Sequence, residues 1–344
     1  MRIALDAMGG DKAPLINIEG AKLALSEQAS ITTLFMVGDE PTLKALCEEH
    51  DLKDKRIEFV HAEQVVEMHE SGATTLRSKK KSSISIATGL VKSGDADAVI
   101  SAGNTGAAVA NATLKLRTIK GIERAGICSP LPNEYGTCNL LDAGANPDAK
   151  PEHLVGYAIM GAVYAKEVLG VKNPTVGIMS NGGEDEKGTP FTKETFKLLT
   201  ALVAQGNAPF DFLGNVEGKD IFETKLDVCL CEGFTGNIVL KSVESTAKAM
   251  SKWLKLELTR KPLRMLGAAM AKGAFKDLKG RTNYETYGGS PLLGVNGVCI
   301  IAHGGSSPVA IKNAIRVACE TVANNVNPQI EESIAKALKD TPEA

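Results

Sequence analysis

Seven times in this chain of 344 residues a short apolar run ends in a loop of Gly, Asn, Asp and Ser, and a helical pattern follows. The clearest case is DAVISAGNTGAAVA at 97–110. Ala98-Val99-Ile100 reads as a buried strand, Ser101 to Gly106 as a tight turn, and Ala107 onward as a helix of small residues. The other loops are DAMGGDKAP (6–14), GDEP (38–41), DAGANPDAKPEH (142–153), SNGGEDEKGTP (180–190), CEGFTGN (231–237) and HGGSSP (303–308). Strand and helix patterns alternate to about residue 325, which predicts an α/β fold with a doubly wound, mainly parallel sheet. A loop running from a strand's carboxyl end to a helix N-terminus gathers free N–H groups and the positive end of a dipole. In an open parallel sheet such loops share one edge, where ligands bind. The expectation is one rim rich in anion-binding geometry.

Helices are predicted at 14–28, 41–50, 82–93, 105–116, 151–169, 190–204, 237–258 and 306–325. Arg124 to Pro130 and Thr137 to Asp142 flank the turn-like PNEYG and predict an antiparallel hairpin inserted in the sheet. No linker composition divides the chain. One two-lobed unit is expected over 1–328, with a polar, frayed tail at 329–344.

Composition narrows the function. Aromatics are scarce at 4% and Gly abundant at 34 residues, which suits helices packed closely on a sheet. No apolar run approaches the length of a membrane span, and MRIALDAMGG reads as a strand start rather than a signal peptide. Seven Cys without a CxxC pair read as free thiols in a reducing cytoplasm, and five scattered His give no metal-ligand spacing. Neither metal, cofactor nor nucleic acid is expected. The net charge of −2 hides an asymmetry: residues 248–281 hold ten Lys or Arg against Glu257 and Asp277, giving +8 there and −2 − 8 = −10 elsewhere. Trp253, Leu254, Leu256, Leu258, Leu263, Met265 and Leu266 interleave with these cations. Two amphipathic helices broken near Lys261-Pro262 are expected. They either pack on the body or a second subunit, or dock an acidic protein or an anionic membrane, with Lys252, Trp253, Lys255 and Arg264 as contacts.

The loops lack a P-loop, a GxGxxG, a GxSxG and any spaced Cys/His pair. They are rich in neutral donors: Asn104, Thr105, Asn146, Asn181, Asn237, Ser306, Ser307 and nearby glycine N–H groups. Such a site suits a reaction in which a substrate anion attacks and the protein stabilises an oxyanion. Lys187 is either a cation beside that anion or an exposed turn residue. His303 either donates to a substrate oxygen or ties its loop down. Asp6, Asp11 and Asp142 sit at strand ends, where such carboxylates either bind a metal or, as the commoner use, bond to backbone in turns.

DAMGGDKAP, ISAGNTGA (100–107), LLDAGAN (140–146), DAKPEHLVGYAIMGAVY (148–164), EGFTGN, GGSPLLGVNG (288–297) and AHGGSS (302–307) together resemble the acyl-carrier-protein:phosphate acyltransferases, the PlsX family. The likeness runs in order over nearly the whole chain. It departs at EMHESGATTLR (67–77), at SNGGEDEKG (180–188) and by an extra residue in the basic run Arg77 to Lys81. The resemblance implies attack of inorganic phosphate on the thioester of a fatty acyl carrier protein. Acyl phosphate would then pass to a membrane glycerol-3-phosphate acyltransferase. It also implies the two-lobed fold of phosphate acetyltransferases and isocitrate/isopropylmalate dehydrogenases, in a cytoplasmic homodimer, sometimes peripherally membrane-associated. With the loops, it makes Asn104, Lys187, Asn237 and His303 the candidate catalytic residues. Candidate substrate-binding residues are Asp6, Gly9, Gly10, Ser101, Gly103, Thr105, Gly106, Asp142, Asn146, Gly236, Gly304 and Ser306. Two other readings are a non-catalytic adaptor for carrier protein and membrane, and a short-chain phosphate acyltransferase using coenzyme A.

Overall fold

The computed structural model describes residues 1–282, 285 and 287–338, without the side chains of residues 73, 279, 281, 282 and 338. Two of the ten cations of the basic segment, Lys279 and Arg281, therefore have side chains outside the described residues, as does the tail at 339–344. The chain begins β1 (Arg2–Asp6), α1 (Leu15–Glu27), β2 (Thr33–Gly38), α2 (Glu40–Glu49), β3 (Ile57–His61), α3 (Gly72–Ser78), α4 (Ser83–Ser93), β4 (Ala98–Ser101) and α5 (Thr105–Leu116). It continues β5 (Gly126–Asn133), β6 (Gly136–Leu141), α6 (Pro151–Glu167), β7 (Thr175–Met179), α7 (Pro190–Ala204), β8 (Asp211–Val216), α8 (Asp220–Glu223) and β9 (Val228–Leu230). It ends α9 (Gly233–Thr259), α10 (Pro262–Met270), α11 (Lys272–Thr282), β10 (Ser290–Leu293), β11 (Val298–Ile301), α12 (Pro308–Ala323) and α13 (Val326–Leu338).

The strands form one sheet of eleven, in the order β3-β2-β1-β4-β11-β10-β5-β6-β9-β7-β8. Pairing is parallel from β3 to β11 and from β6 to β8. Between them, β11–β10, β10–β5 and β5–β6 are antiparallel, and β5–β6 is the hairpin expected around PNEYG. Three reversals make the two parallel halves run in opposite directions. The single rim expected from the sequence is therefore replaced by two.

The register brings these rims together. Ile301, the last residue of β11, pairs with Ser290. Two residues further along β10, Leu292 pairs with Ile127, and the next residue of β5, Cys128, pairs with Leu141 at the end of β6. The carboxyl ends of β11 and β6 thus lie about one residue apart in height, about 3 Å. The half-sheets point at each other, and their helix-starting loops meet over the middle of the sheet.

One face of the first half-sheet is covered by α1 and α12 through Ile18, Ala21, Ile311 and Ile315. A second apolar cluster runs through both halves, joining Ala4, Val99 and Ala108 to Leu131, Cys138 and Cys229. A third packs α6, α7 and α13 on the second half, around the buried Tyr157. The tail expected after 328 is instead the docked helix α13, with Val326, Ile330, Ile334 and Ala337 buried. Their spacing is that of one helical face, hidden in the sequence by the polar residues between them. All seven Cys are free and buried. The basic segment is three pieces rather than two helices: the second half of α9, then α10 after the break at Lys261-Pro262, then α11.

Candidate active site

The first rim is a platform of loops packed glycine on glycine. A Cβ at Gly9 would stand 2.7 Å from Asp6 Oδ2 and 2.8 Å from the Gly103 nitrogen, so the loops after β1 and β4 touch backbone to backbone. The Asp11 N–H donates to the Gly304 carbonyl at 2.9 Å, tying in the loop after β11. Gly10, at φ +118°, turns the first loop beneath Gly304 and Ala102. These glycines shape the site by letting its loops approach.

Asp6 lies under this platform. It is buried, and its Oδ2 accepts the Ser101 hydroxyl at 2.6 Å, while Ser101 Oγ accepts the Gly103 N–H at 3.1 Å. Burial pushes its carboxyl pKa up, against hydrogen bonds from Ser101, Ser83 and backbone that lower it. A raised folded value favours the protonated form, so stability from this group is present at low pH and lost as pH rises through the raised value. Asp6→Asn is expected to flatten that loss, and melting temperature against pH for the two proteins measures it. Parallel curves would show that Asp6 does not carry the dependence.

Asn104 is placed differently from the oxyanion donor expected of it. Its Oδ1 caps α5 by accepting the Ala107 N–H at 3.0 Å. Its Nδ2 donates to the carbonyls of Glu67, Met68 and Glu70 at 3.1, 3.1 and 2.8 Å. The amide is committed to fixing the 67–70 loop against the helix, and Lys79 holds the same loop through Glu70 at 2.6 Å. Asn104→Ala is expected to cost about 1–2 kcal/mol, as a lost cap does, and to loosen 67–70 in hydrogen exchange. A large fall in turnover at unchanged stability would instead put the amide on the substrate.

The second rim is built on Asp142. Its fully buried carboxylate accepts the N–H groups of Ile127 (3.0 Å), Gly144 (3.0 Å), Ala145 (2.9 Å) and Asn146 (2.6 Å). Asn146 donates through Nδ2 to Tyr157 Oη at 2.8 Å and to the Ala125 carbonyl. Both were candidate substrate ligands, and both are consumed in forming the loop. On that loop sits the first turn of α9: the Gly233 N–H donates to the Asn146 carbonyl at 2.9 Å. A Cβ at Gly236 would fall 1.9 Å from the Asp142 carbonyl oxygen. Gly236 is thus a close-approach residue, and Asn237 next to it leans over Gly144.

Where the rims face each other lies a cavity of about 700 Å³. Thr105, Asn237, His303 and Ser306 line it together with Ala143, from four loops of opposite halves. Thr105, which lines the cavity, and Gly106 open α5 and are exposed, and the first N–H groups of a helix have no partner within it. His303 Nδ1 accepts the Gly305 N–H at 3.0 Å, which leaves the ring proton on Nε2, and Glu244 Oε2 stands 3.9 Å from Nε2. The loop-tying and donating readings of His303 are therefore compatible, one at each ring nitrogen. Much of the remaining wall is apolar, with Ile127 and Leu131 of β5, Phe222, and Leu240, Val243 and Ala247 of α9, and Glu134, Lys241, Glu244 and Lys248 line it as well. The sequence reading missed this wall and the partner Glu244. The positions 237, 240, 244, 247 and 251, one helical stripe, were the available signal.

Lys187 stands apart. It is exposed in the loop after β7, its stem over Gly182, and that loop lines a second cavity with Glu232 and Thr235 on the other side of α9's first turn. Lys252, Trp253 and Lys255 are exposed on α9. Arg264 is bound to Glu257 at 2.5 Å, with Arg260 on the same carboxylate, so part of the segment's charge is internally paired. Among the described residues no His, Cys, Asp and Glu group is arranged to hold a metal. Nor, among the described residues, is any helix long and apolar enough to cross a membrane.

Two opposed half-sheets with a cleft between them define a protein of the phosphotransacetylase fold. A phosphotransacetylase from Streptococcus pyogenes superposes with a TM-score of 0.63 over 94% of each chain, at 16% identity. The chain belongs to the fatty acid synthesis protein family, which matches residues 1–329, and it is an acyltransferase. It is 60% identical over 336 residues to the phosphate acyltransferase of Akkermansia muciniphila, covering 98% of this chain and 96% of that one. A phosphate acyltransferase of Geobacter sp. (strain M21) is 46% identical over 338 residues, covering 98% and 94%. The resemblance read from the seven sequence blocks is borne out by a family match over 1–329.

Proposed function

We propose that this phosphate acyltransferase moves a fatty acyl group reversibly from the thioester of acyl carrier protein to inorganic phosphate. The observation that carries the reading is a single cavity with a donor-rich head, at the N-terminus of α5 and His303, opening into an apolar trough. A phosphate oxygen attacks the thioester carbonyl carbon, the C–S bond breaks, and the thiolate leaves and takes up a proton. Phosphate sits on the N–H groups of Thr105 and Gly106, with the Thr105 hydroxyl beside it. The Nε2–H of His303 and the amide of Asn237 donate to the carbonyl oxygen as it gains charge. No side-chain nucleophile is required, in keeping with loops that offer donors and no activated Ser or Cys.

The exposed surface of α9 to α11 supports docking of an acidic carrier protein, in a cytoplasmic homodimer that contacts the membrane peripherally. Acyl phosphate would be passed to a membrane glycerol-3-phosphate acyltransferase for phospholipid synthesis. The test is loss of acyl-carrier-protein thioester with and without phosphate, beside acyl coenzyme A. Phosphate-dependent loss from carrier protein is expected. Loss only from coenzyme A would favour the short-chain reading, and no loss from either would leave an adaptor.

Lys187 supplies an exposed cation across α9's first turn from the head of the cavity. Lys187→Ala is expected to lower turnover more than it lowers carrier-protein binding. Unchanged turnover would make Lys187 a turn residue.

A further inference from the structure

The trough has two straight walls of equal length. On α9, Asn237, Leu240, Glu244, Ala247 and Ser251 line it, a three-and-four spacing that keeps one helical face on the cavity. At about 1.5 Å per residue this face runs about 21 Å. Opposite, β5 lines the trough from Ile127 to Asn133, about 20 Å at about 3.3 Å per residue. The walls begin together, because Ile127 is bonded to Asp142 and Asn237 leans on Gly144 of the same loop. At the other end, the Glu134 N–H donates to the Phe222 carbonyl at 2.9 Å, and Asn133 Nδ2 donates to the Ile221 carbonyl at 2.6 Å. Phe222 therefore stands across the far end of β5.

Resting on the acyl-transfer reading above, we propose that this trough measures the acyl chain, with Ala247 and Phe222 as its specificity-determining residues. From a C–C bond of about 1.5 Å, an extended alkyl chain advances about 1.3 Å per carbon, so the walls hold about sixteen carbons. Ala247 is ten residues beyond Asn237, about 15 Å along the helix, level with about the twelfth carbon. It is the smallest side chain on the apolar stretch of α9, and its size leaves the outer third of the trough open. Phe222, held at the far end of β5, bounds that outer third at its end.

The test compares Ala247→Phe and Phe222→Ala with the parent protein on acyl carrier protein bearing eight-, twelve- and sixteen-carbon chains. For Ala247→Phe the ratio of kcat/KM on sixteen carbons to that on eight is expected to fall at least about 30-fold, within the range that pocket methylenes discriminate. For Phe222→Ala the preference is expected to move to longer chains. Displacement of a fluorescent fatty acid by free acids of the same lengths is measured in parallel. There, Ala247→Phe is expected to weaken binding of the sixteen-carbon acid selectively. Equal losses at all lengths, or an unchanged length profile in both measurements, would overturn the ruler. Length-selective binding without phosphate-dependent turnover in the parent would instead overturn the transfer reading and leave the ruler standing.

Discussion

Gly236→Ala is expected to reduce turnover by at least about 10²-fold, the scale on which a misplacement of about 1 Å is felt in catalysis. The added Cβ would lie 1.9 Å from the Asp142 carbonyl oxygen and 2.9 Å from both the Asp142 carbonyl carbon and Cys231 Sγ. Two of these three neighbours are backbone, held by the four N–H groups on the Asp142 carboxylate, so they do not yield. The first turn of α9 must lift instead. Lifting stretches the bond from Gly233 to Asn146 and carries Asn237 away from the opposite rim. Overpacking of this kind also costs about 1–3 kcal/mol of stability. Turnover and urea unfolding, measured on the same preparation, separate the two effects. A variant with parental activity would show that α9 can seat without this contact, and that Asn237's position is not critical.

Substituting His303 is expected to act on chemistry with little effect on folding. Its ring is more than a third exposed, at 38%, and its Nδ1 is bonded to Gly305 within its own loop. His303→Ala removes the Nε2–H from the head of the cavity, and loss of one such donor typically lowers kcat by about 10²–10³-fold. KM for phosphate is expected to change far less, because the proposed phosphate site is the α5 N-terminus and not His303. His303→Gln is expected to recover part of the rate, since its amide also donates. If KM for phosphate rises and kcat holds, the ring belongs to the anion site rather than to the carbonyl oxygen.

The elements were legible in the sequence and the meeting of the rims was not. The strand–loop–helix units, the hairpin around PNEYG and the break at Lys261-Pro262 are local patterns and stand close to where the sequence places them, except that α9 begins at Gly233, inside the loop expected at 231–237. The opposed half-sheets depend on where β10, a four-residue strand, is inserted, and no local signal gives that pairing. The same limit governs the site. Asn104, Asp142 and Asn146 are polar loop residues of the type that binds anions, and also of the type that ties loops together. Only their partners, thirty or more residues away for Asn104, decide between the two. Thr105, Asn237, His303 and Ser306 were readable as donors, and they do share one cavity. The apolar wall opposite them comes from β5, which the sequence presented as one arm of a hairpin, and from α9 and Phe222.

The order in which the chain visits the two half-sheets has a further consequence. It passes from the first to the second between α5 and β5, returns through β10 to β11, and crosses again after α12, whose successor α13 packs on α6. Neither half is a continuous stretch of polypeptide. A single proteolytic nick in a connecting loop therefore cannot release one half, and the fragments should stay associated under native conditions. Neither half could be inherited, swapped or expressed as a module without its complement, and heat should melt both in one transition.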